Sequence, residues 1–308
     1  MAICGVIANC DDWPDIALFA QQRETWFKRF LKLPYGVPSH DTFERVFAAL
    51  DSRAFEYLCL VWLRDVSQVV GAGHIAIDGK TLRGSAGSPL GALHLVSTWA
   101  TQANPTLGHV AVVGKSNEIT ANPQLLELLD LQGALVTIAA IGCQKAIAKQ
   151  IVARGGDYVL VVKGNQERLR EDIQETVIAA LDGELPTGSV RQFTTTEQGH
   201  GRQEERSCVM VQYVKSIRDR KLWPGLTTAG MCRRERTVNG KTSTEVCFFI
   251  GSRRMAARRY AEALRSHWGI ENHLHWQLDV SFSEDDSRIE NRHGAANFAL
   301  FWSSGRWR

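Results

Sequence analysis

Gly73-His74-Ile75-Ala76-Ile77-Asp78-Gly79-Lys80-Thr81-Leu82-Arg83 is the stretch on which the reading of the whole chain turns. Residues 74–78 are small or β-branched and read as a short strand ending on a carboxylate, with a glycine and two basic residues beyond it. Ile75 and Ile77 share one face of such a strand, and His74, Ala76 and Asp78 share the other. An Asp where a buried strand runs out, with Gly79 leaving the backbone open, suits a ligand for a divalent metal. An Asp-Gly pair that merely opens a turn has the same local signature. The surrounding chain has to decide between them.

Downstream of this strand the pattern predicts strands at 91–100 and 108–113, with Asn104-Pro105 turning between them. A helix is expected to open at Asn122-Pro123, followed by a strand at 135–140, a helix at 144–153, a strand at 158–162 and a helix at 166–181. Three strands without intervening helices do not fit a doubly wound sheet. They fit a mixed sheet with an antiparallel meander at one side, the ribonuclease H-like arrangement. Residues 187–251 read as antiparallel β, with Asn239-Gly240 as a hairpin turn, and form a β-rich insertion. Upstream, residues 1–70 read as helices: Asp12-Trp13-Pro14 as a helix start, Asp41-Thr42-Phe43-Glu44 as a capping box, and a third helix from about Ser52. The expected architecture is α/β, with an N-terminal helical domain at 1–70 and a ribonuclease H-like domain at 71–308 that carries the insertion.

The 308 residues are 44% hydrophobic and 22% charged, with a net charge of +3. That balance permits a nucleic-acid partner without requiring one, because basic residues must cluster to make a footprint. Arg233, Arg234, Arg236, Arg253, Arg254, Arg258, Arg259 and Arg265 do gather late in the chain. The seven cysteines are scattered without a Cys-x-x-Cys pair, which argues against a zinc framework and for a reducing, cytoplasmic setting. No apolar run reaches the roughly 18 residues of a membrane span. No glycine-rich phosphate loop is present.

A second informative carboxylate lies on an expected helix at 255–278. Tyr260, Leu264, His267, Glu271, Leu274 and Leu278 fall near one line at about 100° per residue, so Glu271 shares the apolar stripe. A lone carboxylate there has to be paired, neutralised or bound to metal. Pairing with Arg265, His267 or His275 and metal ligation both satisfy that requirement.

Several stretches together resemble the H-repeat-associated insertion-sequence transposases, which are DDE enzymes. They are Ala76–Arg83, Lys115-Ser116-Asn117-Glu118-Ile119-Thr120, Gly142-Cys143-Gln144-Lys145, Gly156-Asp157-Tyr158 with Lys163-Gly164-Asn165-Gln166, His200-Gly201-Arg202, His267-Trp268-Gly269-Ile270-Glu271-Asn272, Leu274-His275-Trp276, Leu278-Asp279-Val280 and Glu284-Asp285-Asp286. The likeness is collinear from about Trp13 to Leu300. It implies a ribonuclease H-like catalytic domain in which three carboxylates hold two Mg²⁺ or Mn²⁺ ions for in-line attack on a phosphodiester. The first ligand carries over to Asp78 and the third to Glu271. His267 stands where related transposases carry an arginine, and Lys80, Arg83, Lys115, Lys163, Asn165, Arg202 and His267 are implied to face nucleic acid. Implied partners are double-stranded DNA, as element ends and target, and a second copy of the chain on that DNA. The implied location is the bacterial cytoplasm, at the nucleoid.

The family pattern breaks at the second carboxylate. It should end the strand Leu135-Val136-Thr137-Ile138, but the residue there is Ala139. Asp130 lies nine residues earlier, and the next acidic residue after it is Asp157. A methyl group cannot ligate Mg²⁺, so two metals are expected to be held poorly. The resemblance also implies more helix before Met1, and the chain leaves the pattern at Phe301. The expectation is a transposase-derived, DNA-binding protein with impaired catalysis, a decayed copy; deliberate inactivation would explain Ala139 but not the ends. Two alternatives stand beside it: an active nuclease or transposase that recruits Asp285 or Asp286, and a relic without selected function.

Overall fold

The computed structural model describes residues 1–8, 10, 12–51, 54–55, 57–58, 61, 73–82, 93–100, 106–113, 118–199 and 201–268. The chain divides into two compact units, one built from residues 1–72, 78–129 and 269–308 and the other from 73–77 and 130–268.

In the first unit, helices α1 (Ala2–Ile7), α2 (Trp13–Gln22), α3 (Glu24–Phe27) and α4 (His40–Ala49) pack through an apolar and aromatic cluster. Val6, Ile16, Ala20 and Phe27 are fully buried. Trp13 lies 4.8 Å from Phe47 between ring centres. Asp12 caps α2, accepting the Asp15 N–H at 2.8 Å, and Pro14 occupies the first turn where no N–H is missed. The expected capping box at Asp41 is not the start of α4. That helix begins at His40 behind Ser39, whose hydroxyl lies 3.1 Å from that of Thr42. Of the third expected helix only 54–55, 57–58 and 61 are described, and they are helical.

The same unit contains an antiparallel hairpin of β2 (Leu93–Ala100) and β3 (Thr106–Val113), with α5 (Glu118–Leu128) packed against both strands. Helix α5 starts four residues before the expected Asn122-Pro123 boundary and contains Pro123. The proline lacks only the hydrogen bond its own N–H would have made, and the burial of Leu125, Leu126 and Leu129 opposes that local cost.

The second unit is a seven-stranded mixed sheet in the order β1-β4-β5-β9-β8-β7-β6, with β1 (His74–Leu82), β4 (Leu135–Ile138), β5 (Asp157–Val162), β6 (Val190–Gly199), β7 (Arg202–Val211), β8 (Thr228–Val238) and β9 (Lys241–Gly251). Strands β1, β4 and β5 run parallel; β5 pairs antiparallel with β9, and the remaining strands form an antiparallel meander. The stretch at 187–251 forms the antiparallel meander β6–β9 and joins the parallel strands through the pairing of β9 with β5. The Asn239-Gly240 turn behaves as expected, with both residues at positive φ.

Helices α6 (Lys145–Ala153), α7 (Glu167–Leu181) and α8 (Ala257–His267) flank this sheet. Strand β5 is buried along nearly its whole length, which matches a parallel-sheet strand covered on both sides. Helix α8 presents Ala257, Tyr260, Ala263 and Leu264 to a core with Leu135, Val159, Val161, Cys208, Met210 and Phe249. The Tyr260 ring stacks on Phe249 at 5.1 Å, and its hydroxyl donates to the Arg253 carbonyl at 2.6 Å. The expected helix at 255–278 is described only as far as α8 and the following Trp268.

The meander carries a buried carboxylate that position along the chain does not mark. Glu204 is 2% exposed and accepts from Arg234 Nε at 2.9 Å, with Arg206 as a second partner. Burial pushes its carboxyl pKa up, but the Arg234 hydrogen bonds and the charges of Arg206 and Arg202 outweigh burial and hold it below the ordinary value. A depressed carboxylate contributes stability above its unfolded pKa and loses it as pH falls through the folded one. Glu204→Gln is expected to remove part of the loss of stability below about pH 4.3. It is also expected to cost about 2 kcal/mol at neutral pH, because two partly buried guanidinium groups lose their anion. Urea midpoints of the two chains at pH 7 and in acid check both effects.

Candidate active site

Two candidate positions directly follow the last paired residues of β1 and β4. Register in the second unit pairs His74 with Leu135, Ile75 with Val136, Ala76 with Thr137 and Ile77 with Ile138, and stops there. The next residue along β1 is Asp78, and the next along β4 is Ala139. The expectation of a strand ending at Asp78 needs correction: β1 continues to Leu82, and it is the pairing with β4 that ends before Asp78. Asp78 is half-buried, as is Ala139.

Beyond β4 the chain makes a tight 3₁₀ turn at Ala140–Gly142, and beyond β5 another at Gly164–Gln166. These two loops are tied together. Asn165 Nδ2 donates to the Ala140 carbonyl at 2.6 Å, and Gln166 Nε2 donates to the Cys143 carbonyl at 3.0 Å. The amide of Asn165 is thus committed to holding the loop that starts at position 139. Lys163, immediately after β5, is exposed, and Arg202 is exposed at the start of β7. Lys80 lies within β1. Arg83, Lys115, Glu271, Asp285 and Asp286 lie outside the described residues.

His267, which the resemblance implies to face nucleic acid, is buried in the structure. It is 3% exposed, at the last position of α8, with Nδ1 3.2 Å from the Thr137 hydroxyl. The same hydroxyl lies 2.9 Å from His74 Nε2. Thr137 is 1% exposed, and burial lowers the His74 pKa to about 4, so its ring is neutral at physiological pH. This polar network escaped the sequence reading. The only trace of it there is that His74 shares a strand face with Asp78.

The late arginine cluster is also less open than its sequence density implies. Arg233 pairs with Glu235, Arg234 with Glu204 and Glu245, Arg253 with Asp157, Arg258 and Arg259 with Glu262, and Arg265 with Glu197. Much of its charge is matched within the fold. That leaves it a weaker footprint for phosphate than eight unpaired cations would give.

The donor set can be compared with what two divalent ions require. Hard cations take carboxylate oxygens. Asp78 offers one carboxylate, and position 139 offers a methyl group. The Cys143 thiol is fully buried, and burial pushes its pKa to about 12, so it stays protonated. Cys208, Cys232 and Cys247 lie side by side across β7, β8 and β9, but hydrogen bonding to Cys208 and burial raise the Cys232 pKa, and burial raises that of Cys247 to about 11. Among the described residues no group of three His, Cys, Asp or Glu side chains is placed to hold a metal. Asp78 is the one candidate carboxylate ligand among the described residues, and Glu271 lies outside them. Also among them, no helix is long and apolar enough to cross a membrane.

Comparison with known proteins gives the family of the chain. Residues 71–303 match the transposase DDE domain, and residues 1–63 match the DDE_Tnp_1-associated region. The candidate transposase YncI of Escherichia coli O157:H7 is 38% identical over 301 residues, covering 96% of this chain and 76% of that protein. The H repeat-associated candidate transposase YhhI of Escherichia coli K12 is 35% identical over 306 residues, covering 97% of this chain and 80% of that protein. A protein encoded in the dhlA 3′ region of Xanthobacter autotrophicus is 41% identical over 255 residues, covering 82% of this chain and 85% of that protein. Enzymes with a DDE domain generally use divalent metal ions on a ribonuclease H-like sheet. The chain belongs to the DDE transposase family, alongside its H repeat-associated members.

Proposed function

We propose that this chain is a transposase-derived protein that binds double-stranded DNA and whose phosphodiester chemistry is impaired at position 139. The observation that carries the reading is the strand register. Pairing of β1 with β4 runs out at Ile77 and Ile138, and the residues that follow are a carboxylate and a methyl group. Asp78, position 139 and Glu271 are the three ligand positions of two-metal chemistry, and Mg²⁺ or Mn²⁺ the ions they serve in an intact site. Without the middle carboxylate that site holds its ions weakly. Lys163 and Arg202, both exposed, are the described candidates to meet phosphate. Residues 1–70 act as a helical accessory domain to the catalytic domain at 71–308, whose segment 187–251 supplies the meander. A homodimer on paired DNA ends, at the nucleoid, is the working form.

Two measurements test this reading. Gel-shift titration with duplex DNA is expected to show binding that weakens as salt rises, since each phosphate contact releases counterions. Nicking of supercoiled plasmid in Mg²⁺ or Mn²⁺ is expected to stay at the level of buffer, before and after Asp78→Asn. Metal-dependent nicking that Asp78→Asn abolishes would overturn the impairment and direct attention to Asp285 and Asp286 as substitute ligands.

A further inference from the structure

We infer that His74, Thr137 and His267 form a positioning bridge that fixes the three elements leading into the candidate ligand positions; the inference rests on the reading of positions 78, 139 and 271 given above. All three side chains are more than nine-tenths buried. Thr137 Oγ1 is the hub, 2.9 Å from His74 Nε2, 3.2 Å from His267 Nδ1 and 3.4 Å from the Ile75 carbonyl.

A hydroxyl has one proton and two lone pairs, and a carbonyl oxygen can only accept. With the Thr137 proton directed at Ile75, both lone pairs take ring N–H groups. That sets His74 as the Nε2–H tautomer and His267 as the Nδ1–H tautomer. Every partner of the hydroxyl is then satisfied without burying a charge. Leu135, two residues back on the same face of β4, shows that an apolar side chain packs at this level of the sheet. Burying three polar groups instead costs desolvation that their hydrogen bonds only offset.

The placement of the three residues explains why the polar solution serves this fold. His74 lies four residues before Asp78 on one strand face, Thr137 two residues before position 139 on another, and His267 four residues before Glu271. The bridge joins β1, β4 and α8, and hydrogen bonds are sensitive to sliding and rotation in a way that apolar contacts are not. A slip of α8 or of β1 along β4 breaks it. The bridge therefore sets the register of β1 against β4 and the seating of α8, the elements that precede the ligand positions in the chain.

The test has a spectroscopic arm and a kinetic arm. In ¹⁵N-histidine-labelled protein, two slowly exchanging ring N–H groups are expected, at His74 Nε2 and His267 Nδ1. Both are expected to vanish in Thr137→Val and to persist in Thr137→Ser. Their absence from the unaltered chain overturns the bridge.

In the Ala139→Asp background, adding Thr137→Val is expected to lower single-turnover nicking about 100-fold at saturating DNA, as misplacement of reacting groups by an ångström does. DNA affinity is expected to be unchanged, and Thr137→Ser is expected to recover the rate to within about threefold. If Thr137→Val lowers only the melting temperature while each folded molecule nicks at the parent rate, the network is ordinary core packing and the positioning role is wrong. If Ala139→Asp neither nicks nor binds Mn²⁺ while both ring protons are present, the bridge exists but the ligand positions do not, which overturns its role and the underlying site reading together.

Discussion

Ala139→Asp is expected to nick supercoiled plasmid at least about 10³-fold faster than the unaltered chain in Mg²⁺ or Mn²⁺, equivalent to about 4 kcal/mol of transition-state stabilisation. The magnitude follows from what the middle carboxylate does in a two-metal site. A carboxylate restored at position 139 would offer oxygen ligands to divalent ions, which would serve both nucleophile activation and leaving-group stabilisation. The backbone at position 139 accepts the change. Its φ of −59° and ψ of 165° are open to any L residue, and the following turn is already held by Asn165 and Gln166. The gain should disappear when Asp78→Asn or Glu271→Gln is added, because ligands of one proposed site act as a unit. Equal nicking by the Ala139→Asp and unaltered chains, lost in both on Asp78→Asn, would mean that another carboxylate already serves. Silence from Ala139→Asp in both metals would remove position 139 from the site.

Gly230→Ala should destabilise the second unit by about 3 kcal/mol, at the upper end of overpacking costs. Gly230 lies in the interior of the meander on β8, paired with Met210 on β7 and Phe249 on β9. A Cβ there would overlap the Val209 carbonyl and run into the Phe249 ring. Neither neighbour moves cheaply. The carbonyl belongs to a paired strand, and Phe249 is stacked under Tyr260, whose hydroxyl is anchored to Arg253. Relief would have to come from spreading β7 away from β8 or from lifting α8. Gly199→Ala, at the open end of β6 with nothing within 4 Å of the added carbon, supplies the control and should change stability by less than about 0.5 kcal/mol. Urea midpoints followed by circular dichroism check the pair; a loss at Gly230 no larger than at Gly199 would mean that the sheet breathes enough to absorb a methyl group.

The amino-acid sequence by itself determined the period of each element and therefore the kind of fold. The strand signal around Ile75 and Ile77, the run at Leu135–Ile138 and the helical periods expected at 144–153 and 166–181 are local signals, and the helices at 145–153 and 167–181 follow them to within a residue. That position 139 carries a methyl group was equally legible, because residue identity needs no folding to be read. Boundaries moved where tertiary burial outweighed local chemistry, as at Pro123, which the sequence marks as a helix start and the packing of α5 takes inside the helix.

Partnership across the chain was for the tertiary structure alone to decide. Nothing in the sequence links Glu204 to Arg234, Asn165 to Ala140, or His74 to Thr137 and His267 across 63 and 130 residues of separation. Such pairs are selected by strand order and register, which depend on which hydrophobic faces are buried together. The same physics decided where the β-rich segment at 187–251 joins the sheet. The open edge of β5 offers unpaired backbone groups, and β9 satisfies them with an antiparallel ladder from Val159–Gly251 to Val162–Phe248.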